Sequence, residues 1–174
     1  MKGLDNPTWL MMYIISNLVA LLVLWASWKS ARLGRFLFLL LFLWAGITNW
    51  VTALRTPGDY LGQADLTFFT FYHDFILGWF SRHILLGVGI IATCQLVIAI
   101  SMVMKGWWVK AGGCGAILFL LAIAPFGVGS AFPCTLLLAA AMIYILRRRN
   151  HDWLWRSRAG ISGDSGRNKN PGNI

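Results

Sequence analysis

Apolar runs of near bilayer-crossing length, with basic residues in most of the gaps between them, dominate this sequence. A hydrocarbon core of about 30 Å takes roughly 20 helical residues to cross. Irregular backbone cannot face lipid with its N–H and C=O groups unpaired, so such runs read as helices. Five candidates stand out, at about 7–28, 34–54, 83–104, 111–128 and 131–146. Only 12% of the 174 residues are charged, against 58% hydrophobic. A soluble domain carries about 25% charge, so too little polar surface remains to cover a globule in water. A soluble enzyme is excluded. The expected fold class is an all-α integral membrane protein, with residues 1–147 as one transmembrane domain and residues 148–174 as a basic, disordered cytoplasmic tail.

Pro7 suits the first turn of a helix, where its missing N–H costs nothing, and Asp5 and Asn6 are candidate caps. Lys2 before an apolar run could signal a cleaved leader. The exit sequence Leu24-Trp25-Ala26-Ser27-Trp28 lacks a small-x-small cleavage pattern, so the span is expected to be retained. The net charge of +9 would suit nucleic acid if the cations formed a folded polar face. They instead separate apolar runs: Lys29, Arg32 and Arg35 follow the first span, Lys105 and Lys110 follow the third, and Arg147 opens the tail. No nucleic acid partner is expected, and the partner implied is the lipid bilayer.

Cations collect in cytoplasmic loops of membrane proteins. Placing these three segments inside gives that side 12 of the 15 basic residues and leaves four of the six acids outside. The N-terminus is then outside and the C-terminus cytoplasmic. Trp25, Trp28, Trp50, Trp79, Trp107 and Trp108 lie near proposed span ends, where amphipathic rings belong.

The connection from Arg55 to Arg82 is the one sizeable non-spanning segment before the tail. After the turn at Thr56-Pro57-Gly58, Asp65 is placed to cap a helix over about 66–80. Thr67, Thr70, Asp74, Gly78 and Ser81 recur at spacings of three and four, which predicts an amphipathic helix lying in the outer interface.

The same connection carries the densest grouping of titratable side chains outside the tail. Tyr72, His73 and Asp74, with His83 at the start of the third span, could bind a small ligand, haem or a metal, or hydrogen-bond a quinone carbonyl with proton exchange to Asp74. Their spacing matches no metal motif, and a solvated interfacial role is the plainer reading. Arg55 and Arg82 flank the group and could pair with Asp59, Asp65 or Asp74.

Within the spans, Asn17, Asn49 and Gln95 are expected to face other helices, because an unpaired amide in hydrocarbon costs about 4–8 kcal/mol by transfer estimates. Cys94, Cys114 and Cys134 fall at different depths and form no Cys-x-x-Cys pair, so packing is the expected role. Gly87, Gly89, Gly112, Gly113 and Gly115 fit close approach between the third and fourth spans. No charged side chain lies mid-span, which disfavours ion-coupled transport and leaves a facilitator of a small neutral solute open.

From about Gly34 to Leu146 the layout resembles the DoxX-like family of small bacterial membrane proteins. The likeness lies in Ala45-Gly46 on a first core helix, a loop with Pro57 and Tyr60, an aromatic segment ending near Phe80, and three close-spaced helices. Gln95 stands where the family often has a glutamate, ahead of Lys105-Gly106 in the following turn. The resemblance implies a four-helix bundle, here with one extra N-terminal transmembrane helix, in a bacterial plasma (inner) membrane. It also implies a quinone-linked oxidoreductase system in which the chain is an accessory or anchor subunit beside a redox partner protein. It supplies no catalytic residue. The alternative is a non-enzymatic module, either a structural partner or a facilitator.

Overall fold

The computed structural model describes residues 7–67, 69–148 and 154, without the side chains of residues 63, 65 and 66. The proposed caps Asp5 and Asn6 and nearly all of the tail lie outside the described residues. Among those described, the fold is all-helical: α1 (Pro7–Lys29), α2 (Ala31–Arg55), a 3₁₀ segment (Pro57–Leu66), α3 (Thr70–Phe75) continuing into a π-helical turn (Ile76–Phe80), α4 (Ile84–Val103), α5 (Trp107–Ile123), a second 3₁₀ segment (Ala124–Ser130) and α6 (Cys134–Arg147).

Four of these stretches are long and apolar enough to cross a membrane: α1, α2, α4, and α5 taken with its 3₁₀ extension. The fifth expected span is shorter. At about 1.5 Å per residue, the 14 residues of α6 rise about 21 Å, less than the hydrocarbon core. Its start is held back because Ala131 adopts a left-handed conformation, with φ 54°, and Pro133 occupies the cap position.

The break between the first two helices is also much tighter than the gap expected between spans ending at about 28 and starting at about 34. Ser30 alone separates them, extended at φ −149° and ψ 119°, with its hydroxyl accepting from the Leu33 N–H. A serine at an N-cap supplies an acceptor to the first turn. Arg32 and Arg35 therefore belong to α2. Likewise α5 begins at Trp107, not 111, behind Gly106 at φ 60°, a conformation that glycine adopts without steric penalty.

The predicted interfacial helix over 66–80 is divided. Thr67 is extended, its hydroxyl donates to Ala64 O at 2.9 Å, and the next helix starts at Thr70 behind an extended Phe69. A threonine hydroxyl bonded to nearby carbonyls competes with helix continuation.

Around the bundle, α1 contacts α2, α2 contacts α4, α4 contacts α5, α5 contacts α6, and α6 returns to α1. One core joins them: Ala20 and Val23 of α1, Phe38 and Phe42 of α2, Ile98 and Met102 of α4, Leu120 of α5, and Leu138, Met142 and Ile145 of α6. Small residues set the spacing. A methyl group on Gly112 would fall 1.6 Å from Ser101 Oγ, whereas one on Gly115 would rest 3.7 Å from Ile98. These two glycines serve the α4–α5 contact. Gly113 faces Leu146 of α6, Gly89 faces Trp50 of α2, and Gly87 faces Phe80, so the expected glycine seam is spread over several contacts.

The outward faces are apolar along the long helices, with Leu18, Leu22, Leu40, Ile47, Ile90, Val97, Ile100 and Leu118 all exposed. Exposed apolar surface of this extent marks a lipid-facing or partner-facing region. Cys94 and Cys114 are exposed as well, and only Cys134 is buried. Packing inside the bundle therefore accounts for Cys134 and not for the other two.

The bundle ends differ in charge. Arg148 Nη2 lies 2.8 Å from Trp28 O, and Arg35 reaches Met102 O, so the ends of α1, α4 and α6 and the start of α2 share one end. It gathers Lys29, Arg32, Arg35, Lys105, Lys110, Arg147 and Arg148, and the described segments there contain no carboxylate. The opposite end carries the first 3₁₀ segment, α3, His73 and His83.

Candidate functional site

The histidine-bearing end is assembled from aromatic residues. Phe75 stacks on Trp79, with centroids 5.9 Å apart, and lies 6.1 Å from Phe80. Tyr60 meets Phe80 edge-on at 6.5 Å. On the other side, Tyr72 packs edge-on against Phe126 at 5.2 Å and donates its hydroxyl to Ala122 O at 3.1 Å. Tyr72 is thereby a fastener between α3 and the end of α5.

His73 Nδ1 lies 3.1 Å from Asp74 Oδ1, and both side chains are exposed, at 40% and 71%. An ionised carboxylate only accepts, so the imidazole donates from Nδ1 and leaves Nε2 to a ligand. His83 has a different setting. Its Nδ1 is 3.0 Å from Trp79 O, and its ring stacks on the Trp79 indole at 4.8 Å. A carbonyl also only accepts, which again leaves Nε2 as the outward nitrogen.

The structure thus brings Tyr72, His73 and Asp74 onto one short helix and gives His83 its own partner one helical segment later. Arg55, the last residue of α2, is exposed. Among the described residues, the ion pair at this end is His73–Asp74, and neither Arg55 nor Arg82 pairs with Asp59 or Asp74. The side chain of Asp65 lies outside the described residues. No group of three His, Cys, Asp or Glu side chains gathers among those described.

Beneath the aromatic layer, Asn49 Nδ2 donates to Gln95 Oε1 at 2.8 Å, joining α2 to α4. Tyr60 donates to Asn49 Oδ1 at 3.0 Å, so its phenol ties the 3₁₀ segment to this pair. Gln95 is 4% exposed, and an amide buried that deeply needs such a partner. Burial pushes the Tyr60 hydroxyl above its usual pKa; nearby Asp59 acts in the same direction and a hydrogen bond to Thr52 against it. A contact path therefore runs from buried Gln95 through Asn49, Tyr60, Phe80, Phe75 and Trp79 to His83. Asn17 is set apart from it, donating to Tyr13 O and, at 3.1 Å, to Ala131 O ahead of α6. Its Oδ1, like Thr135 Oγ1, is buried without a hydrogen-bond partner.

The chain matches no family model, no curated protein and no solved structure.

Two working residues escape a reading by sequence pattern. Tyr60 links the first 3₁₀ segment to the Asn49–Gln95 pair, whereas in the sequence it stood out only as part of the loop that carries the family resemblance. Arg35 is 2% exposed and donates through Nε and Nη2 to Met102 O and through Nη2 to Met104 O. Its charge therefore satisfies carbonyls at the end of α4, where the helix dipole is negative. The serine cap at Ser30, which draws Arg35 into the helix, was the signal available.

Proposed function

We propose that the chain is a multi-pass protein of a bacterial plasma membrane, with its basic end cytoplasmic and its histidine-bearing end outside. In that membrane it serves as a DoxX-like accessory or anchor subunit of a quinone-linked oxidoreductase system. The observation that carries this reading is the exposed His73–Asp74 pair, on a helical stretch that also exposes Phe71, Phe75 and Trp79. An imidazole whose Nδ1–H is held by a carboxylate can accept a quinol hydroxyl proton at Nε2, and flat aromatic surfaces suit a quinone ring. His83, Tyr72 and Arg55 complete the outer end, and the electrons belong to the partner redox protein.

The test is purification from native membranes in mild detergent, followed by quinone extraction, an absorption spectrum and quinone-reduction assays with His73→Ala and His83→Ala. Co-purifying quinone and slowed turnover in His73→Ala support the reading. Absence of quinone together with unchanged turnover in both variants overturns it. One observation favours a second, non-enzymatic reading as a structural partner: Asn49 and Gln95 satisfy each other across α2 and α4, which leaves those amides engaged in packing and not in solute passage.

A further inference from the structure

At the basic end, α1 and α6 finish side by side. Lys29, the last residue of α1, holds its Nζ 5.9 Å from the Trp25 ring centre and 5.5 Å from that of Trp28. Arg148 is fixed to the same end of α1, because its Nη2 donates to Trp28 O at 2.8 Å and to the Tyr144 hydroxyl at 3.3 Å, with the guanidinium 5.2 Å from the Tyr144 ring centre. All of those contacts use one guanidinium nitrogen or the ring face. Among the described residues no hydrogen bond uses its Nε or Nη1, and a guanidinium fork of this kind matches a phosphate.

Below the two cations, Leu18, Leu21, Leu22, Trp25 and Trp28 form an exposed apolar face on α1. The described segments at this end offer no carboxylate to neutralise the charge. Fixed cations above a tryptophan ledge and an acyl-length apolar face are complementary to one occupant, a lipid whose headgroup is a phosphate carrying net negative charge.

We propose that the α1–α6 end is a binding site for an anionic glycerophospholipid, with the phosphodiester between Lys29 and Arg148 and an acyl chain along α1. The proposal rests on the membrane reading above and goes beyond general attraction to a charged surface, because it assigns the phosphate to one pair of residues. The helix dipoles of α1 and α6 also favour cations there, so the test must separate a lipid site from dipole neutralisation.

The experiment is native mass spectrometry of the full chain released from micelles doped with phosphatidylglycerol or phosphatidylcholine, paired with flotation on phosphatidylcholine vesicles. Wild type is expected to retain phosphatidylglycerol preferentially. Removing a cation that meets the lipid surface weakens such binding about fivefold, so Lys29→Gln with Arg148→Gln should abolish the preference. Lys105→Gln with Lys110→Gln removes equal charge from the same end and should leave it nearly intact. If Arg148→Gln prevents folding through loss of the bond to Trp28 O, Lys29→Gln alone decides, since none of the described hydrogen bonds uses its ammonium. Equal loss in both double variants, or no preference in wild type, overturns the site while the membrane reading survives. Failure of the wild type to float overturns both.

Discussion

Arg35 of α2 and Met102 of α4 are joined by two hydrogen bonds to one carbonyl oxygen, from Nε at 2.9 Å and from Nη2 at 2.6 Å. A buried guanidinium thus closes the end of a membrane-length helix from its neighbour. Arg35→Met should lower stability in detergent by about 2–4 kcal/mol, the loss expected when charge-assisted bonds to buried carbonyls disappear. Arg35→Lys should recover only part of it, since an ammonium cannot present the same planar fork. Denaturant titration followed by circular dichroism checks both.

The α4–α5 contact makes a steric prediction. Gly112→Ala would place a methyl group 1.6 Å from Ser101 Oγ and 2.5 Å from Ser101 Cβ, so the helices must separate. A cost of about 1–3 kcal/mol follows from overpacking. Gly115→Ala, with its nearest neighbour at 3.7 Å, should be close to neutral, and Ser101→Gly should rescue Gly112→Ala. Thermal unfolding of the four proteins in one detergent gives the comparison.

Asn49 and Gln95 should behave as a coupled pair. Asn49→Leu leaves Gln95 Oε1 without its donor in a buried position. The double change Asn49→Leu with Gln95→Leu removes both polar groups, and should be less destabilising than the sum of the single changes. Interhelical hydrogen bonds in membranes show couplings of about 0.6 kcal/mol on average and up to about 1.7. A double-mutant cycle measures the coupling, and strict additivity would contradict the contact.

Tyr60 predicts an alkaline limit to stability. Its folded pKa is raised above the unfolded value of about 10. Its contribution is therefore fully present below pH 10 and is lost as pH rises through the higher folded value, where the unfolded chain has already released the proton. Tyr60→Phe should be less stable at neutral pH, having lost the bond to Asn49, and should show a weaker decline above pH 10. Stability against pH for the two proteins, measured between pH 8 and 11, checks the sign.

Most of the helical layout was legible because long apolar runs admit few other structures. What escaped was decided by single residues. Arg35 reads as a loop cation in a charge count, yet Ser30 starts α2 early enough to bury it. Positions 131–146 read as a span by hydropathy, but the left-handed Ala131 and Pro133 shorten the helix to 14 residues. The regular polar spacing from Thr67 to Ser81 suggested one helix, while the Thr67 hydroxyl closes the preceding turn and the π-helical stretch over Ile76–Phe80 changes the register. At the site, the grouping of Tyr72, His73 and Asp74 follows from their adjacency. The pairing of His83 with Trp79 and the link from Tyr60 to Asn49 depend on tertiary contacts that spacing alone does not specify.

The orientation proposed above puts the cation-rich end in the cytoplasm and the histidine-bearing end outside. In a background with Cys94, Cys114 and Cys134 replaced by alanine, Gly62→Cys and Lys110→Cys place single thiols at opposite ends. A side chain at Gly62 meets nothing within 4 Å, and Lys110 is exposed. A membrane-impermeant maleimide applied to intact spheroplasts should label Gly62→Cys, and should label Lys110→Cys only after permeabilisation. Labelling of Lys110→Cys alone in intact spheroplasts, or of both thiols from the same side, would contradict the account.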